Sequence, residues 1–260
     1  MSVNFKFLGS SSKGNCGVLR SKSSTVLIDA GLSGKKIGEY LASYGIDLSS
    51  IDAIFITHEH ADHCQGLRGL ARNNIKIYAT HGTALGIEEK YKIHLNWQLF
   101  SAGDRIHFRD MEINTFSIPH DANEPVGYAF SFHDHGKSLA WVTDLGYVSD
   151  KIAEIIKKVN LLILEANYDV NLLHKDNIRP IYIKKRIMGR NGHLSNNSAI
   201  QLITKALNPS WEKVFLAHLS RDCNNASIIK KIISESIFHR VNFDIEIVEP
   251  DYALGLGHSM

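Results

Sequence analysis

A short run of histidines and acidic residues follows a buried strand in the first quarter of the chain. Residues 53–57 (Ala-Ile-Phe-Ile-Thr) are apolar enough to lie inside a sheet, and residues 58–63 (His-Glu-His-Ala-Asp-His) come directly after them. A loop leaving a strand end can turn the first two histidines toward one point, and the aspartate and the last histidine toward a second point nearby. Imidazole and carboxylate ligands suit zinc, manganese or iron. The run therefore predicts a site for two metal ions, roughly 3.5–4 Å apart, that can share a hydroxide and a carboxylate.

Three further residues of ligand type each lie at or just beyond the end of a predicted strand. They are His120 after residues 112–118, Asp144 after residues 139–143, and His218 after residues 213–217. Functional groups gather at such strand ends in α/β proteins, so the repeated placement favours a metal centre. The alternative is a polar loop with three histidines, followed downstream by unrelated surface or core residues. That alternative does not account for the repeated order of strand and then ligand.

The order of predicted elements indicates an α/β fold with two sheets. The first half is rich in strands, predicted near residues 3–7, 17–20, 25–29, 53–57, 76–79, 112–118, 127–132 and 139–143, with helices at 33–44, 66–72 and 83–91. The second half alternates helices at 149–158, 195–207 and 225–238 with strands at 161–165, 213–217 and 243–248, around a stretch predicted to be irregular up to about residue 192. Together the halves predict two sheets with helices outside. We find no linker, so one domain over residues 1–260 is the simplest arrangement.

Composition indicates the cellular location of the protein but does not identify a binding partner. The chain is 44% hydrophobic and 22% charged, an ordinary globular balance, and its formal charge of +2 neither requires nor excludes nucleic acid. Cys16, Cys64 and Cys223 form no Cys-x-x-Cys pair, so neither a disulfide framework nor a thiolate zinc site is indicated. The sequence shows no signal peptide and no apolar run of about 20 residues. These features favour a soluble cytoplasmic protein that does not enter a membrane.

The run at residues 58–63, followed in order by His120, Asp144 and His218, resembles the metallo-β-lactamase fold over essentially the whole chain. The resemblance implies a four-layer αββα sandwich with both metals at one edge and with Asp144 bridging them. The implied ligands are His58, His60, His120 and Asp144 for the first ion, and Asp62, His63, Asp144 and His218 for the second. Asp29 matches an early aspartate that orients the metal loop by hydrogen bonds. Its alternative role, which is compatible with the first, is that of a turn residue.

A polar loop after the first strand, residues 9–15 (Gly-Ser-Ser-Ser-Lys-Gly-Asn), is a candidate phosphate contact. Serine hydroxyls, backbone N–H groups and Lys13 can all bind phosphate oxygens. We expect Ser10, Ser11 and Asn15 to hold a terminal phosphate of the substrate. An ordinary polar hairpin turn is the alternative interpretation.

Two segments in the second half resemble elements of the phosphodiesterase and tRNA-processing branch of the fold. Residues 164–168 (Leu-Glu-Ala-Asn-Tyr) are similar to its Glu-Ala-Thr element, and residues 192–196 (Gly-His-Leu-Ser-Asn) to its Gly-His-Ser/Thr element. The resemblance implies that His193, near the metals, assists the leaving oxygen as a general acid or binds phosphate. Glu165 and Asp62 complete the expected catalytic set. The alternative for His193 is a structural position just ahead of a helix capped by Ser195.

A basic and partly aromatic run lies shortly before His193. It contains Tyr182, Lys184, Lys185, Arg186 and Arg190. Beside a metal centre such a run can attract the backbone of a nucleic acid, so Lys184 and Arg186 are expected to bind substrate. A solvated surface is the alternative interpretation.

These motifs, together with Ala-His-Leu-Ser-Arg at residues 217–221, resemble the YycJ (WalJ) family of bacterial metallo-hydrolases. The resemblance implies a nuclease that degrades double-stranded DNA from 5′ to 3′ through a hydroxide activated by two metal ions, with Mn²⁺ or Zn²⁺ as the cofactor. An RNA-processing nuclease, a hydrolase of a thioester, lactone or cyclic phosphodiester, and a non-enzymatic binding protein are the alternatives. The residues leave the nucleic acid, the end polarity, the native metal and the oligomeric state open.

Overall fold

Two mixed β-sheets form the centre of the fold. The computed structural model describes residues 3–71, 74–134, 136–206, 210–236, 241–250 and 253–260. Its strands are β1 (Asn4–Gly9), β2 (Cys16–Arg20), β3 (Thr25–Ile28), β4 (Ala53–Phe55), β5 (Lys76–Thr80), β6 (Trp97–Phe100), β7 (Arg105–Phe108), β8 (Met111–Ser117), β9 (Val126–Phe132), β10 (Lys137–Val142), β11 (Leu161–Glu165), β12 (Lys213–Ala217), β13 (Asp244–Ile247) and β14 (Gly257–Ser259). Within the described residues they form two seven-stranded sheets, ordered β14-β1-β2-β3-β4-β5-β6 and β13-β12-β11-β10-β9-β8-β7.

Helices cover the outer faces of both sheets. They are α1 (Gly34–Ser43), α2 (Ala61–Cys64), α3 (Leu67–Leu70), α4 (His81–Tyr91), α5 (Asp150–Ile156), α6 (Val170–Lys175), α7 (Ile181–Met188), α8 (Asn196–Ala206) and α9 (Ala226–Ser236), with a 3-10 turn at Leu48–Ser50. Apolar residues of α1, α3 and α4 pack on the first sheet, and those of α5, α8 and α9 on the second. The expected four-layer α/β sandwich is therefore confirmed. Among the described residues, no helix combines the length and apolar character that a membrane crossing requires.

The layer between the sheets is packed with aromatic side chains. Phe5 and Phe7 of β1 point inward, as their alternation with polar neighbours predicts, and meet Trp141 and Phe215 of the second sheet. The ring centroids of Phe7 and Phe215 are 5.2 Å apart, and those of Phe5 and Trp141 are 6.0 Å apart. Each such pair contributes about 0.5–1.5 kcal/mol beyond area burial. This core fixes the two sheets relative to each other, and with them the site residues that each sheet carries.

Local capping signals behave as the sequence predicts. The Oγ of Ser33 accepts a hydrogen bond from the N–H of Lys36 at the start of α1, and the Oγ of Ser195 accepts one from Ser198 before α8. Gly45 follows the end of α1 with a φ of 69°, a left-handed conformation that glycine adopts readily. The predicted helix ends at residues 72, 207 and 238 lie outside the described residues.

The prediction of an irregular stretch before residue 192 was wrong. Helices α6 and α7 occupy much of it. A side-chain oxygen of Asp169 accepts a hydrogen bond from Leu172 N at 2.9 Å and caps α6, whereas Pro180 precedes α7. Proline lacks an N–H and suits the start of a helix, so Pro180 marks the beginning of α7. In the sequence it was interpreted instead as a residue that interrupts regular structure. Helix α2, inside the metal-binding run, and strands β6, β7 and β14 were not predicted from the sequence.

Residues of the predicted site follow strands that point the same way. Strands β3 and β4 are parallel, as are β10, β11 and β12. Strand β8 is also aligned with β10, because each is antiparallel to the intervening β9. The carboxyl ends of these strands therefore lie along one edge of the sandwich, which is where α/β proteins place their functional groups.

Candidate metal centre

Three histidines from two loops form the first group of ligand atoms. His58 and His60 follow β4 and His120 follows β8, and one ring nitrogen of each lies within 4.8 Å of the others. Nε2 of His120 is 3.2 Å from Nδ1 of His60. Nδ1 of His58 is 3.0 Å from the Thr57 hydroxyl, and Nδ1 of His120 is 3.1 Å from the Gly192 carbonyl. Nε2 of His58 is buried without a hydrogen-bond partner among the described residues, which leaves its lone pair available to an ion.

Asp62, His63 and His218 form the second group of ligand atoms, again within 4.8 Å of one another. Oδ2 of Asp62 is 3.5 Å from Nε2 of both His63 and His218. Asn15 supports this group from below: its side-chain amide is 3.3 Å from Oδ2 of Asp62, and its backbone N–H donates to the Asp62 carbonyl at 2.7 Å. Asp62 and His63 therefore belong to the short helix α2, and hydrogen bonds from Asn15 in the β1–β2 loop hold Asp62 in place.

Asp144 lies between the two groups. Its Oδ2 is 3.1 Å from Nε2 of His63, and its Oδ1 is 3.9 Å from Nε2 of His120. A carboxylate in this position can contact ions in both groups at once, which is the bridging role expected from the sequence. The structure thus brings all seven predicted ligands together.

Two buried carboxylates, Asp29 and Glu165, contact the Nδ1 atoms of three histidines in the site. Oδ2 of Asp29 is 2.8 Å from Nδ1 of His63, as expected from the sequence, and Oε1 of Glu165 is 2.8 Å from Nδ1 of both His193 and His218. A proton on each Nδ1 satisfies these contacts and leaves Nε2 facing the centre, which is how carboxylates commonly fix metal-binding imidazoles. Glu165 is fully buried and contacts both of these histidines, and its predicted catalytic role remains a prediction.

Three site residues adopt a left-handed backbone. The φ angles of Asp29, Asp144 and His218 are 59°, 59° and 57°. Residues other than glycine carry a cost of about 1–3 kcal/mol in sparsely populated conformations, and such residues concentrate at functional sites. Each of the three comes one or two residues after a strand end, so the sharp turn aims its side chain across the edge of the sandwich.

The carboxylates set the charge of the centre. Burial holds the pKa of His58 well below its ordinary value, and the charge of His63 lowers it further. Burial also acts to lower the pKa of His218, but Asp144 and its carboxylate neighbours outweigh burial and raise that pKa to about 10. Burial raises the pKa of Asp62, but attraction to His63 and the His218 contact overcome it and the net pKa shift is downward. Asp62 therefore stays ionised, and a metal ion bound here would displace the proton that its carboxylate neighbours hold on His218.

The donor set fits a divalent metal ion. Both groups contain only imidazole nitrogens and carboxylate oxygens, which suit zinc, manganese and related ions. The neighbouring thiol of Cys64 instead lies 3.2 Å from the Glu59 carbonyl and 3.1 Å from the His60 carbonyl. The unpartnered Nε2 of His58 gives independent support, because a buried polar atom of this kind is costly unless something binds it.

A cavity of about 370 Å³ opens onto the metal centre. Its lining includes Ser12, His60, Asp62, Asp144, Asn167, Tyr168, Arg179, Ile183, Arg186, Ile187, His193, His218 and Ser220. The side chain of His193 is 23% exposed. Burial acts to lower its pKa, but the charge and hydrogen bond of Glu165 raise the pKa above its ordinary value. Glu165 thus favours the protonated imidazolium form of His193, whose ring lines the same cavity as the predicted metal ligands.

The residues expected to hold a terminal phosphate lie behind the cavity wall. Ser10 is buried and its Oγ accepts a hydrogen bond from the backbone N–H of His218 at 2.8 Å. Ser11 is also buried, and its N–H donates to Oδ1 of Asn15 at 3.1 Å. In this structure the three residues build the loop that supports Asp62 and His218, and the neighbouring Ser12 lines the cavity. Their predicted contact with substrate remains a prediction.

Of the two residues of the basic run that were expected to bind substrate, Arg186 lines the cavity and Lys184 does not. Arg186 lines the cavity, and its Nε pairs with Oδ2 of Asp121. Lys184 is buried, does not line the cavity, and donates from Nζ to the His174 carbonyl at 2.9 Å. The structure therefore does not bring Lys184 to the site, because helix α7 turns that side chain toward α6.

Arg179 is a cavity residue that the sequence reasoning missed. It pairs with Asp176 at 2.6 Å and with Asp222 at 2.7 Å, which ties the segment before α7 to the loop after His218. Asn167 was noted only as part of a motif, yet its amide donates to the His218 carbonyl at 2.8 Å. The motif around Glu165 offered a signal for Asn167, whereas nothing in the local sequence distinguished Arg179 from other surface cations.

Comparisons with known proteins agree with this architecture. Residues 24–218 match the family described as the beta-lactamase superfamily domain. The chain is 35% identical over 238 residues to exodeoxyribonuclease YycJ of Bacillus anthracis, covering 90% of this chain and 89% of the relative. It is also 35% identical over 266 residues to exodeoxyribonuclease WalJ of Streptococcus pneumoniae serotype 2, covering 98% of each. The metallo-beta-lactamase fold protein YhfI of Bacillus subtilis shares the fold, with a TM-score of 0.75, 14% identity and 100% coverage of both chains.

Proposed function

The chain belongs to the beta-lactamase superfamily, and within it to the YycJ/WalJ family, and on that premise we propose that it is a metal-dependent nuclease that degrades double-stranded DNA from 5′ to 3′. The observation that carries the proposal is the placement of His193 and of both metal-ligand groups around one cavity. Phosphodiester hydrolysis needs an activated nucleophile and a proton for the leaving oxygen, and this arrangement offers groups for both.

The choice of DNA rests on the relatives. Two proteins that align with nearly the full chain are named exodeoxyribonucleases, which favours DNA over RNA and an end-directed reaction over an internal one. Arg186 lines the cavity, and the exposed Lys13 and Lys185 are each adjacent in sequence to a lining residue, so these cations offer positive charge to a phosphate backbone. The 5′→3′ direction is the most specific part of the proposal, and its test is the end-labelling experiment below.

We assign two divalent ions to the two ligand groups. His58, His60 and His120 would hold the first ion and Asp62, His63 and His218 the second, with Asp144 as a ligand to both. Mn²⁺ and Zn²⁺ both suit these nitrogen and oxygen donors. When bound, the ions supply an activated water as nucleophile and neutralise charge on the non-bridging phosphate oxygens.

His193 is placed to move a proton at the leaving oxygen. Its Nδ1 is held 2.8 Å from Glu165, whose negative charge stabilises the imidazolium form. The ring lines the cavity, so Nε2 can donate a proton to the departing 3′ oxygen of the substrate. Glu165 also contacts His218 and accepts the N–H groups of Leu145 and Leu194, so it holds the proton donor and a metal ligand in a constant relative position.

The state of the cysteines supports a cytoplasmic location. Cys16, Cys64 and Cys223 are buried free thiols. Free thiols persist in the reducing cytosol, where a DNA substrate is also present in bacteria.

The experiment is a nuclease assay with the full chain loaded with Mn²⁺ or Zn²⁺. Single- and double-stranded DNA and RNA are each labelled at the 5′ or the 3′ end, because the order in which label is released reports polarity. We expect double-stranded DNA labelled at the 5′ end to lose its label first, as mononucleotide, and chelation to abolish the reaction. Asp144→Asn, which removes the shared ligand, serves as the inactive control.

Three results would contradict the proposal in different parts. Release of 3′ label before 5′ label would overturn the direction, and faster degradation of RNA would overturn the choice of substrate. A fully metal-loaded preparation that leaves every polynucleotide intact but hydrolyses a thioester, lactone or cyclic phosphodiester would replace the nuclease with a small-molecule hydrolase of the same fold.

A further inference from the structure

Three large apolar side chains are exposed together next to the metal cavity. Ile178 is 86% exposed, Ile181 65% and Tyr182 67%, and all three lie at the start of α7 or just before it. Single exposed apolar residues are ordinary, but three within five positions form a patch that needs a partner. We call these three residues the rim patch.

The rim patch is continuous with the cavity. Arg179, which lines the cavity, follows Ile178 directly, and Ile183, which also lines it, follows Tyr182. On α7, Tyr182 lies one helical turn before Arg186, and residues four apart on a helix are neighbours on its surface. Arg186 lines the cavity, so Tyr182 neighbours a cavity residue on the surface of α7.

Ion pairs hold the segment with the rim patch in place. Arg179 pairs with Asp222, which lies four residues after the ligand His218, and Arg186 pairs with Asp121, next to the ligand His120. Each guanidinium is therefore occupied by a carboxylate from a loop that also carries a metal ligand. These pairs tie the segment to the metal centre, and the rim patch remains exposed on it.

The surrounding charge selects the kind of partner. Between residues 174 and 190 the chain has the cations Lys175, Arg179, Lys184, Lys185, Arg186 and Arg190 against the single acid Asp176. Arg179 and Arg186 are paired with carboxylates and Lys184 is buried, whereas Lys175, Lys185 and Arg190 are exposed cations of the same stretch. Apolar faces edged by positive charge fit unpaired nucleobases followed by their phosphates, because bases offer flat faces for stacking and the backbone offers negative charge.

We propose that the rim patch stacks against the terminal bases of a DNA duplex and holds them apart, with Tyr182 as the stacking ring and Ile178 as the apolar wedge. This inference rests on the proposed nuclease function and adds to it how a duplex end is opened. A base pair must be unstacked before one strand can turn its phosphate into a pocket, and apolar side chains inserted at a base step are a known way to do this. The cavity, about 370 Å³, accommodates part of one strand rather than a duplex.

The test compares blunt duplex DNA with a forked duplex whose 5′ end is already unpaired. We expect Tyr182→Ala and Ile178→Ser to slow degradation of the blunt duplex by about tenfold, the scale of one lost base–aromatic stack, and to slow the fork by less than about threefold. Tyr182→Phe keeps the ring and should behave as the unaltered protein. Leu99→Ala removes an apolar side chain of comparable exposure from the edge strand β6 and should change neither rate.

A second readout is the affinity of the metal-loaded full chain for a single-stranded oligonucleotide blocked with phosphorothioate linkages, measured by fluorescence anisotropy. We expect Tyr182→Ala to weaken binding by about tenfold and Tyr182→Phe to leave it unchanged. Equal loss on blunt and forked DNA, or no loss on either, would overturn the wedge. If the unaltered protein degrades no nucleic acid, the nuclease proposal fails. The binding measurement tests stacking separately, because an affinity of Tyr182→Ala equal to that of the unaltered protein would overturn the stacking inference.

Discussion

Nδ1 of His63 lies 2.8 Å from Oδ2 of Asp29, and neither side chain is exposed to solvent. Oδ1 of the same aspartate accepts a hydrogen bond from the backbone N–H of Thr57 at 2.8 Å, immediately before the first metal ligand. One buried carboxylate from the end of β3 therefore holds both the start of the metal-binding run and one of its histidines.

Replacing Asp29 with Asn should weaken metal binding without removing a ligand. The amide keeps the shape, but it cannot stabilise His63 with a negative charge, so metal affinity should fall about 10- to 100-fold. Competition with a chromogenic chelator measures this directly. Asp110→Asn is the matched control, because Asp110 also accepts serine hydroxyl hydrogen bonds, from Ser21 and Ser24, outside the metal centre. An unchanged affinity in Asp29→Asn would show that the contact only shapes the loop.

Replacing Asp144 with Asn should affect both ligand groups. Elemental analysis of the unaltered protein should give two divalent ions per chain, and the variant should hold fewer because the shared carboxylate is lost. Bound metal stabilises the folded state by mass action, so chelation should lower the thermal midpoint of the unaltered protein more than that of the variant. One ion per chain in a saturated unaltered sample would contradict the two-ion assignment.

Replacing His193 with Gln should remove turnover while leaving metal content unchanged. His193 belongs to the cavity but not to either assigned ligand set, and loss of a general acid costs about 10²- to 10⁴-fold in rate. Initial rates on duplex DNA and elemental analysis give the two readouts. His174→Gln, an exposed histidine on the neighbouring helix α6, is the control. Full activity of His193→Gln would contradict the proton-donor role. Loss of bound metal from this variant would indicate that His193 is a metal ligand.

Adding one methyl group at Gly31 should disrupt the metal loop. A Cβ there would lie 1.6 Å from the Asp62 carbonyl oxygen and 2.6 Å from Asn15 N, both backbone atoms that cannot move aside alone. We expect Gly31→Ala to lower the free energy of unfolding by about 3 kcal/mol or more and to impair metal binding. At Gly38, in α1, the nearest atom is 3.8 Å away, so Gly38→Ala should be neutral or stabilise by up to about 1 kcal/mol. Urea unfolding of both variants measures the contrast.

The three cysteines should resist alkylation in the native protein. Cys16, Cys64 and Cys223 are buried, and burial raises the pKa of the Cys64 thiol to about 12, so little reactive thiolate forms at pH 8. Mass spectrometry after brief iodoacetamide treatment should find unmodified protein, and the same treatment in denaturant should add three labels. Rapid native labelling of any one cysteine would show that its surroundings open readily.

The seven predicted metal ligands could be named from the sequence because their chemistry and order are local, and the structure brings them together. Seven residues of ligand type follow predicted strands, and the direction of parallel strands carries them to one edge. The sandwich could be predicted for the same reason, since strand and helix patterns depend on near neighbours. The single domain over residues 1–260 and the substrate contacts of Ser10, Ser11 and Asn15 remain predictions.

Contacts between distant segments required the tertiary structure. The sequence by itself determined which residues could bind metal and the layers of the fold, because periodicity and ligand chemistry are properties of short stretches. Only the folded chain decided that Glu165 contacts two histidines, that Lys184 turns away from the cavity, and that Arg179 lines it. The physical reason is that α7 and the segment before it contact loops more than 40 residues away in sequence, and such long-range contacts are not encoded in a local pattern.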